Sequence, residues 1–216
     1  PPRSTLFPYT TLFRSLILIA GGTASGKTTV VSKLLSHFDA NSVSILAMDN
    51  YYKRNDNISL EERKKINYDH PDAIDMELLK KHIIELLNNK DIDCPVYDFI
   101  NHNRSNEIIH IKHTPVIIVE GILALYDKNI RDLADIQIFV ESEADIRFIR
   151  RLRRDIKERG RDVDDVIRQY LSTVKPMYDA YVAPTKRYAD IIIPNDTKHD
   201  MAIDILATKI DNIIKK

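Results

Sequence analysis

Eight consecutive residues constrain this chain more than any other feature: Gly21-Gly22-Thr23-Ala24-Ser25-Gly26-Lys27-Thr28 fits the pattern G-x-x-x-x-G-K-[ST]. Ahead of it Leu16 to Ala20 is a short apolar run, and from Thr28 to Phe38 the residues Val31, Leu34, Leu35 and Phe38 recur at helical spacing. Strand, glycine loop and helix in that order make a cradle for phosphate. Glycines let backbone N–H groups turn inward, the helix N-terminus adds positive potential, Lys27 reaches β and γ oxygens, and Thr28 offers its hydroxyl to Mg2+. The expected nucleotide contacts are Gly21, Gly22, Thr23, Ala24, Ser25, Gly26, Lys27, Thr28 and Thr29. Glycine is otherwise scarce, with five in 216 residues against a usual share of about 7%. Each one, Gly121 and Gly160 included, is expected where a side chain is not tolerated.

The rest of the chain alternates strands and helices. Val43 to Met48, Val116 to Val119, Ile136 to Val140 and Ile191 to Ile193 are short, β-branched and nearly all apolar, as strands buried on both faces of a parallel sheet must be. Helical patterns fall at Leu60 to Ile66 behind a Ser59/Glu62 capping box, Asp75 to Leu87, Glu143 to Glu158, Asp162 to Val174, Pro176 to Tyr188, and after Thr197. The expected fold class is α/β: a P-loop NTPase fold, a doubly wound, mainly parallel five-stranded sheet flanked by helices. Cys94 to Ile100 and Glu107 to Ile111 alternate instead, which predicts a small antiparallel β-ribbon flap joined through Asn101 to Asn106.

Length and charge exclude several classes. A 25.0 kDa chain of this length suits one compact domain, and 32 basic against 32 acidic residues leave no global field to draw it onto nucleic acid or anionic lipid. The lone Cys94 forms no internal disulfide and no apolar run approaches the length of a membrane span, so a reducing cytoplasm is expected. Residues 1–15 contain Thr5-Leu6-Phe7 again as Thr11-Leu12-Phe13 and resemble a translated adaptor or cloning scar; Pro8 and Arg14 break the pattern of a signal peptide. This stretch is expected to be disordered, ahead of a single P-loop domain over 16–216.

Two strand ends carry acids. Asp49 follows Ile45 to Met48 and Glu120 follows Val116 to Val119, and in an open parallel sheet strand C-termini face the ligand crevice. With Thr28 they form the candidate metal set, and Gly121 is expected to keep bulk out of the nucleotide site. A GTPase would favour Asn-Lys-x-Asp, but Asn89-Lys90-Asp91-Ile92 ends in isoleucine. Residues 147–161 hold eight cations against two acids, a net +6 in an otherwise neutral chain. Helical spacing predicts that Ile149, Leu152 and Ile156 bury one stripe while Arg147, Arg150, Arg151 and Arg154 face something anionic. Gly160 then ends the helix, which suits an Arg-rich lid over phosphates.

From Leu16 to near its C-terminus the chain resembles the uridine/cytidine kinase family, through the motifs at 21–28, Asp49-Asn-Tyr-Tyr, Asn67-Tyr-Asp-His-Pro-Asp-Ala, Pro95-Val-Tyr-Asp-Phe with His102 and Arg104, Glu120-Gly-Ile-Leu-Ala, and the arginine run ending Glu-Arg-Gly-Arg. The resemblance implies phosphoryl transfer from ATP or GTP, with Mg2+, to the 5′-hydroxyl of uridine or cytidine. It implies Asp49 as catalytic base beside Lys27, and Arg154 and Arg159 as lid residues on the phosphates. Asp69, Arg151, Arg161 and Gln169 match contacts to the nucleoside, and Tyr97, Phe99, His102, Arg104 and Ile122 complete the implied substrate set. Neutral imidazole has one donor and one acceptor nitrogen, so His102 can serve either uracil O4 or cytosine N4. The family also implies a homotetramer and no polymeric nucleic acid partner. Phosphoribulokinase-like or pantothenate-kinase-like transfer, and a non-catalytic P-loop switch, stay open beside this reading.

Overall fold

In the computed structural model of the chain, residues 14–39, 41–196 and 200–215 are described. Most of the N-terminal stretch set aside above, residues 1–13, lies outside them. The elements run β1 (Ser15–Ala20), α1 (Lys27–Leu35), β2 (Val43–Ala47), α2 (Leu60–Arg63), α3 (Met76–Leu87), β3 (Ile92–Asp98), β4 (Asn103–Ile111) and β5 (Val116–Glu120). They continue with α4 (Lys128–Arg131), β6 (Ile136–Glu141), α5 (Ala144–Lys157), α6 (Val163–Gln169), α7 (Lys175–Met177), β7 (Ile191–Pro194) and α8 (Asp200–Ile214).

Every residue of β1 is buried, which places it inside a layered fold. It is the middle strand of a five-stranded parallel sheet in the order β2-β5-β1-β6-β7. Alternate residues of β1 serve two cores: Leu16, Leu18 and Ala20 pack with Leu79, Ile83 and Leu86 of α3, while Ile17 and Ile19 pack with Val30 and Leu34 of α1 and Ile203, Leu206 and Ile210 of α8. Helices on both faces remove both sides of the sheet from water, hence the uninterrupted apolar runs. All strand C-termini end on one rim, and the glycine loop leaves β1 there.

Three sequence expectations are corrected. The pattern in α5 is inverted: Ile149 and Ile156 are 50% and 36% exposed, whereas Arg147, Arg151 and Asp155 are 3%, 6% and 0% exposed. Satisfied polar contacts decide the helix orientation, since Arg147 Nε donates to Ser142 O (3.1 Å) and its guanidinium lies 3.9 Å from the Tyr178 ring centre. Second, Asp162 to Tyr188 is one helical path rather than two helices. It widens into π turns at Tyr170–Val174 and Tyr178–Val182 and ends as a 3₁₀ segment, Ala183–Tyr188. Pro176 and Pro184 each follow one of the π turns and withhold a backbone N–H from the preceding carbonyls, which is where the ladder changes its spacing. Third, the ribbon turn is shorter than read, because Tyr97 pairs with Arg104 and Asp98 with Asn103. Arg104 therefore belongs to β4. This strand's residues are half-buried or exposed throughout, so no apolar alternation marks its start. The Ser59/Glu62 capping box forms as expected at α2. Among the described residues no helix is long and apolar enough to cross a membrane.

Candidate active site

The loop between β1 and α1 is shaped by backbone conformations that L side chains resist. Gly26 has φ +88° and Ala24 φ +56°. Ser25 N donates to Gly22 O (3.1 Å), closing the turn, and Gly26 caps α1 without any side-chain hydrogen bond, leaving the first-turn N–H groups for a ligand. Lys27 is buried and its Nζ donates to Gly21 O (3.0 Å) and Gly22 O (3.1 Å). Burial pushes its ammonium pKa down, while Glu120 and Asp49 pull it back up. Those opposing influences put the lysine and both acids in one electrostatic neighbourhood.

The acids arrive from adjacent strands. Ala47 of β2 and Ile19 of β1 both lie in register with Glu120 of β5, and a 3₁₀ turn (Met48–Tyr51) lifts Asp49 from the end of β2. Thr28 Oγ1 approaches Glu120 Oε1 at 3.5 Å. Burial raises the Glu120 carboxyl pKa, Lys27 opposes this, and Asp49 adds to it. Among the described residues no group of three His, Cys, Asp or Glu side chains is arranged to hold a metal. A hydroxyl and two carboxylates facing a phosphate loop nevertheless suit Mg2+, which takes one or two carboxylates and completes its octahedron with water and phosphate oxygens. The reading of Gly121 is corrected: the three atoms nearest a Cβ built there all belong to Met48, so the glycine makes room for the turn that carries Asp49.

Opposite the acids stands an aromatic wall. Tyr52 packs edge-on against Tyr68 and Tyr97 at 5.2 and 4.9 Å, and Tyr97 against Phe99 at 5.1 Å. Tyr68 lies 5.7 Å from the His102 ring and donates its hydroxyl to His102 O (3.1 Å). The Tyr97 hydroxyl is buried beside the Tyr68 hydroxyl. His102 has φ +48°, which turns the ribbon tip inward. Burial lowers its pKa, and Arg161, Lys64, Arg63 and Arg159 lower it further, all favouring the neutral ring. Asp69 is mostly buried; burial raises its pKa, Arg151 opposes the rise, and Asp49 supports it. Ile122 packs against the adjoining core and Thr29 is exposed on α1.

The last part of α5 closes the crevice. Arg151 donates to Thr23 Oγ1 (3.0 Å) in the glycine loop and to Gln169 Oε1 (3.0 Å), which also accepts from Arg161 (2.5 Å). Arg159 sits 5.1 Å from the Phe99 ring centre, linking lid to ribbon. Arg104, singled out in the sequence as a substrate contact, is instead held by the protein's own groups: it donates to Tyr52 O (3.1 Å) and Tyr51 O (3.3 Å) and pairs with Asp75 (3.5 Å). Sequence reading also overlooked residues. Tyr52 and Tyr68 lie inside quoted motifs, where their aromatic character was the available signal. Asn195 Nδ2 donates to Ser25 O (2.6 Å) and fills the space a Cβ on Gly26 would need, a contact across 170 residues that no local pattern marks.

The profile of the Phosphoribulokinase / Uridine kinase family matches residues 16–202. The chain belongs to this family. Among its relatives, the uridine kinase of Lactobacillus johnsonii is 52% identical over 200 residues, covering 92% of this chain and 95% of that protein. The uridine kinase of Anoxybacillus flavithermus is 51% identical over 201 residues, covering 93% and 95%. The D-glycerate 3-kinase of Cryptococcus neoformans shares the fold, with a TM-score of 0.62 at 16% identity over 82% of each chain. Family membership thus covers the glycine loop, both acids, the ribbon and the lid together.

Proposed function

We propose that this chain transfers the γ-phosphoryl group of ATP or GTP to the 5′-hydroxyl of uridine or cytidine, giving UMP or CMP. The observation that carries the reading is the neighbourhood that Lys27, Asp49 and Glu120 share with the buried aromatic pair Tyr52 and Tyr97, both close enough to Asp49 to feel its charge. A triphosphate suits the loop side and a flat ring bearing hydrogen-bonding edges suits the wall. The relatives' printed name, uridine kinase, supports the acceptor class.

In this reading Asp49 accepts the proton of the 5′-hydroxyl as that oxygen bonds to the γ-phosphorus and the bond to the bridging oxygen breaks, releasing the nucleoside diphosphate. Lys27, freed from the carbonyls of Gly21 and Gly22, neutralises charge on the β and γ oxygens, with Arg154 and Arg159 from the lid. Thr28, Asp49 and Glu120 would hold Mg2+, which when bound screens the phosphate charge. Asp69 accepts from the ribose hydroxyls, Arg151, Arg161 and Gln169 contact the nucleoside, and neutral His102 reads the pyrimidine edge. Steady-state turnover of uridine, cytidine, ribulose 5-phosphate and pantothenate with ATP and Mg2+ tests the acceptor. Turnover of only the latter two would replace it, and transfer to none would favour a nucleotide switch.

Two further outcomes follow. Removing a ribose hydroxyl leaves the mostly buried Asp69 carboxylate without a donor, at about 1–2 kcal/mol, so kcat/KM for 2′- or 3′-deoxynucleosides should fall roughly five- to thirtyfold. Equal values for uridine and deoxyuridine would remove Asp69 from that role. Because the His102 pKa is lowered, its neutral form is the one favoured in the fold. Its contribution is complete above the ordinary histidine pKa and is lost as pH falls below that value through the lowered one. The nucleoside KM should therefore be flat from neutral pH upward and rise in acid, and His102→Asn, which does not titrate, should abolish that histidine-linked rise. An unchanged acid limb in the variant would assign it elsewhere.

A further inference from the structure

The lid arginines converge on a residue given no role above. Asp155 lies in the last turn of α5, is fully buried, and is the one acid among the buried residues of that helix. A carboxylate there opposes the negative end of the helix dipole, so its position depends on its partners. Four guanidinium groups surround it, two from α5 itself and two from beyond its C-terminal end, and they divide between its oxygens. Arg154 Nε donates to Oδ1 (2.9 Å), and its Nη2 (2.8 Å) and Arg159 Nη1 (3.6 Å) form ion pairs with the same oxygen. Arg151 Nε lies 3.5 Å and Arg161 Nη1 3.8 Å from Oδ2. The Oδ1 pair is the one read above as phosphate-binding; the Oδ2 pair is the one read as nucleoside-binding. Oδ2 and Arg151 Nε are both buried and neither has a hydrogen-bond partner, so they face each other across a gap that gains from closing.

We propose that Asp155 is a positioning residue that couples the donor and acceptor sites, one carboxylate oxygen serving each. When triphosphate draws Arg154 and Arg159 off Oδ1, the carboxylate loses its closest partners and closes onto Arg151 and Arg161. Arg151 is already tied to Thr23 of the glycine loop and to Gln169, so tightening it fixes the nucleoside contacts. Donor binding thereby prepares the acceptor site, and by linkage the effect is reciprocal. The inference rests on the proposed acceptor and adds to it an order of events within the crevice.

Calorimetric titration of uridine into the full chain, with and without a non-hydrolysable ATP analogue, tests it. Uridine should bind the wild type about fivefold or more tightly when the analogue is present. Asp155→Asn keeps the volume but not the charge, and the ratio should fall towards one. Asp155→Glu keeps the charge one methylene further out and should restore part of the ratio, which a merely structural role would not do. Should the Asn variant fail to fold by circular dichroism, the Glu variant decides the matter, with a ratio below that of the wild type expected. A wild-type ratio of one, or a full wild-type ratio in either variant, would overturn the coupling while leaving the proposed activity in place. No uridine binding to the wild type at all would overturn the acceptor assignment, and the coupling with it.

Discussion

Asp49→Asn is expected to lower kcat with uridine by about 10²–10⁴, the range associated with removing a positioned general base. The amide fills the space of the carboxylate but cannot take the hydroxyl proton, so the loss belongs to the chemical step and the nucleoside KM should change little. Affinity for triphosphate titrated without Mg2+ should be no weaker than in the wild type. Asp49 and Glu120 both interact with Lys27, and removing one carboxylate reduces repulsion toward an incoming polyanion. Steady-state kinetics with direct titration of the ATP analogue separates these effects. Near-normal turnover would take Asp49 out of the role of base, and a selective loss of triphosphate binding would make it chiefly part of the metal and phosphate site.

What could be read in advance follows the range of the forces involved. The glycine loop was legible because its geometry is local: a left-handed conformation at Gly26 and the adjoining lysine are encoded within a few residues. The sheet was legible because parallel strands covered on both faces must be continuously apolar, as β1 and β5 are. The orientation of α5 was not, because an amphipathic pattern assumes that apolar residues turn inward. Here Ile149 faces out, and buried Arg147 and Arg151 donate to Ser142, Thr23 and Gln169. Asp155 was invisible for the same reason, entering the sequence only as one negative charge in a basic run. Asn195 and Gly121 were hidden differently, since each meets a backbone or side chain brought close only by the completed sheet. Local chemistry named the reaction's parts, and the long-range contacts show what holds them in place.

Gly121→Val should lower kcat about 10²-fold while leaving triphosphate affinity nearly unchanged. A Cβ at this position falls far inside van der Waals contact with Met48 Cβ, and its next neighbours are Met48 Sδ at 2.9 Å and Cγ at 3.1 Å. The thioether can move, but a Cβ travels with its backbone, so the 3₁₀ turn that begins at Met48 must shift. The far end of that turn is anchored: Tyr51 Oη and His82 Nδ1 are 2.9 Å apart, Arg104 donates to Tyr51 O and Tyr52 O, and Asn50 Oδ1 accepts from Tyr97 N. Displacement therefore concentrates at Asp49, and about 1 Å of misplacement at a reacting group is enough for a 10²-fold loss. Overpacking should also reduce stability by about 1–3 kcal/mol, visible in the denaturation midpoint. Adding Met48→Ala removes the Sδ and Cγ contacts but keeps the Cβ, so stability should recover in part and kcat should not. Full recovery of kcat in the double variant would show that side-chain crowding, rather than movement of the backbone bearing Asp49, causes the defect.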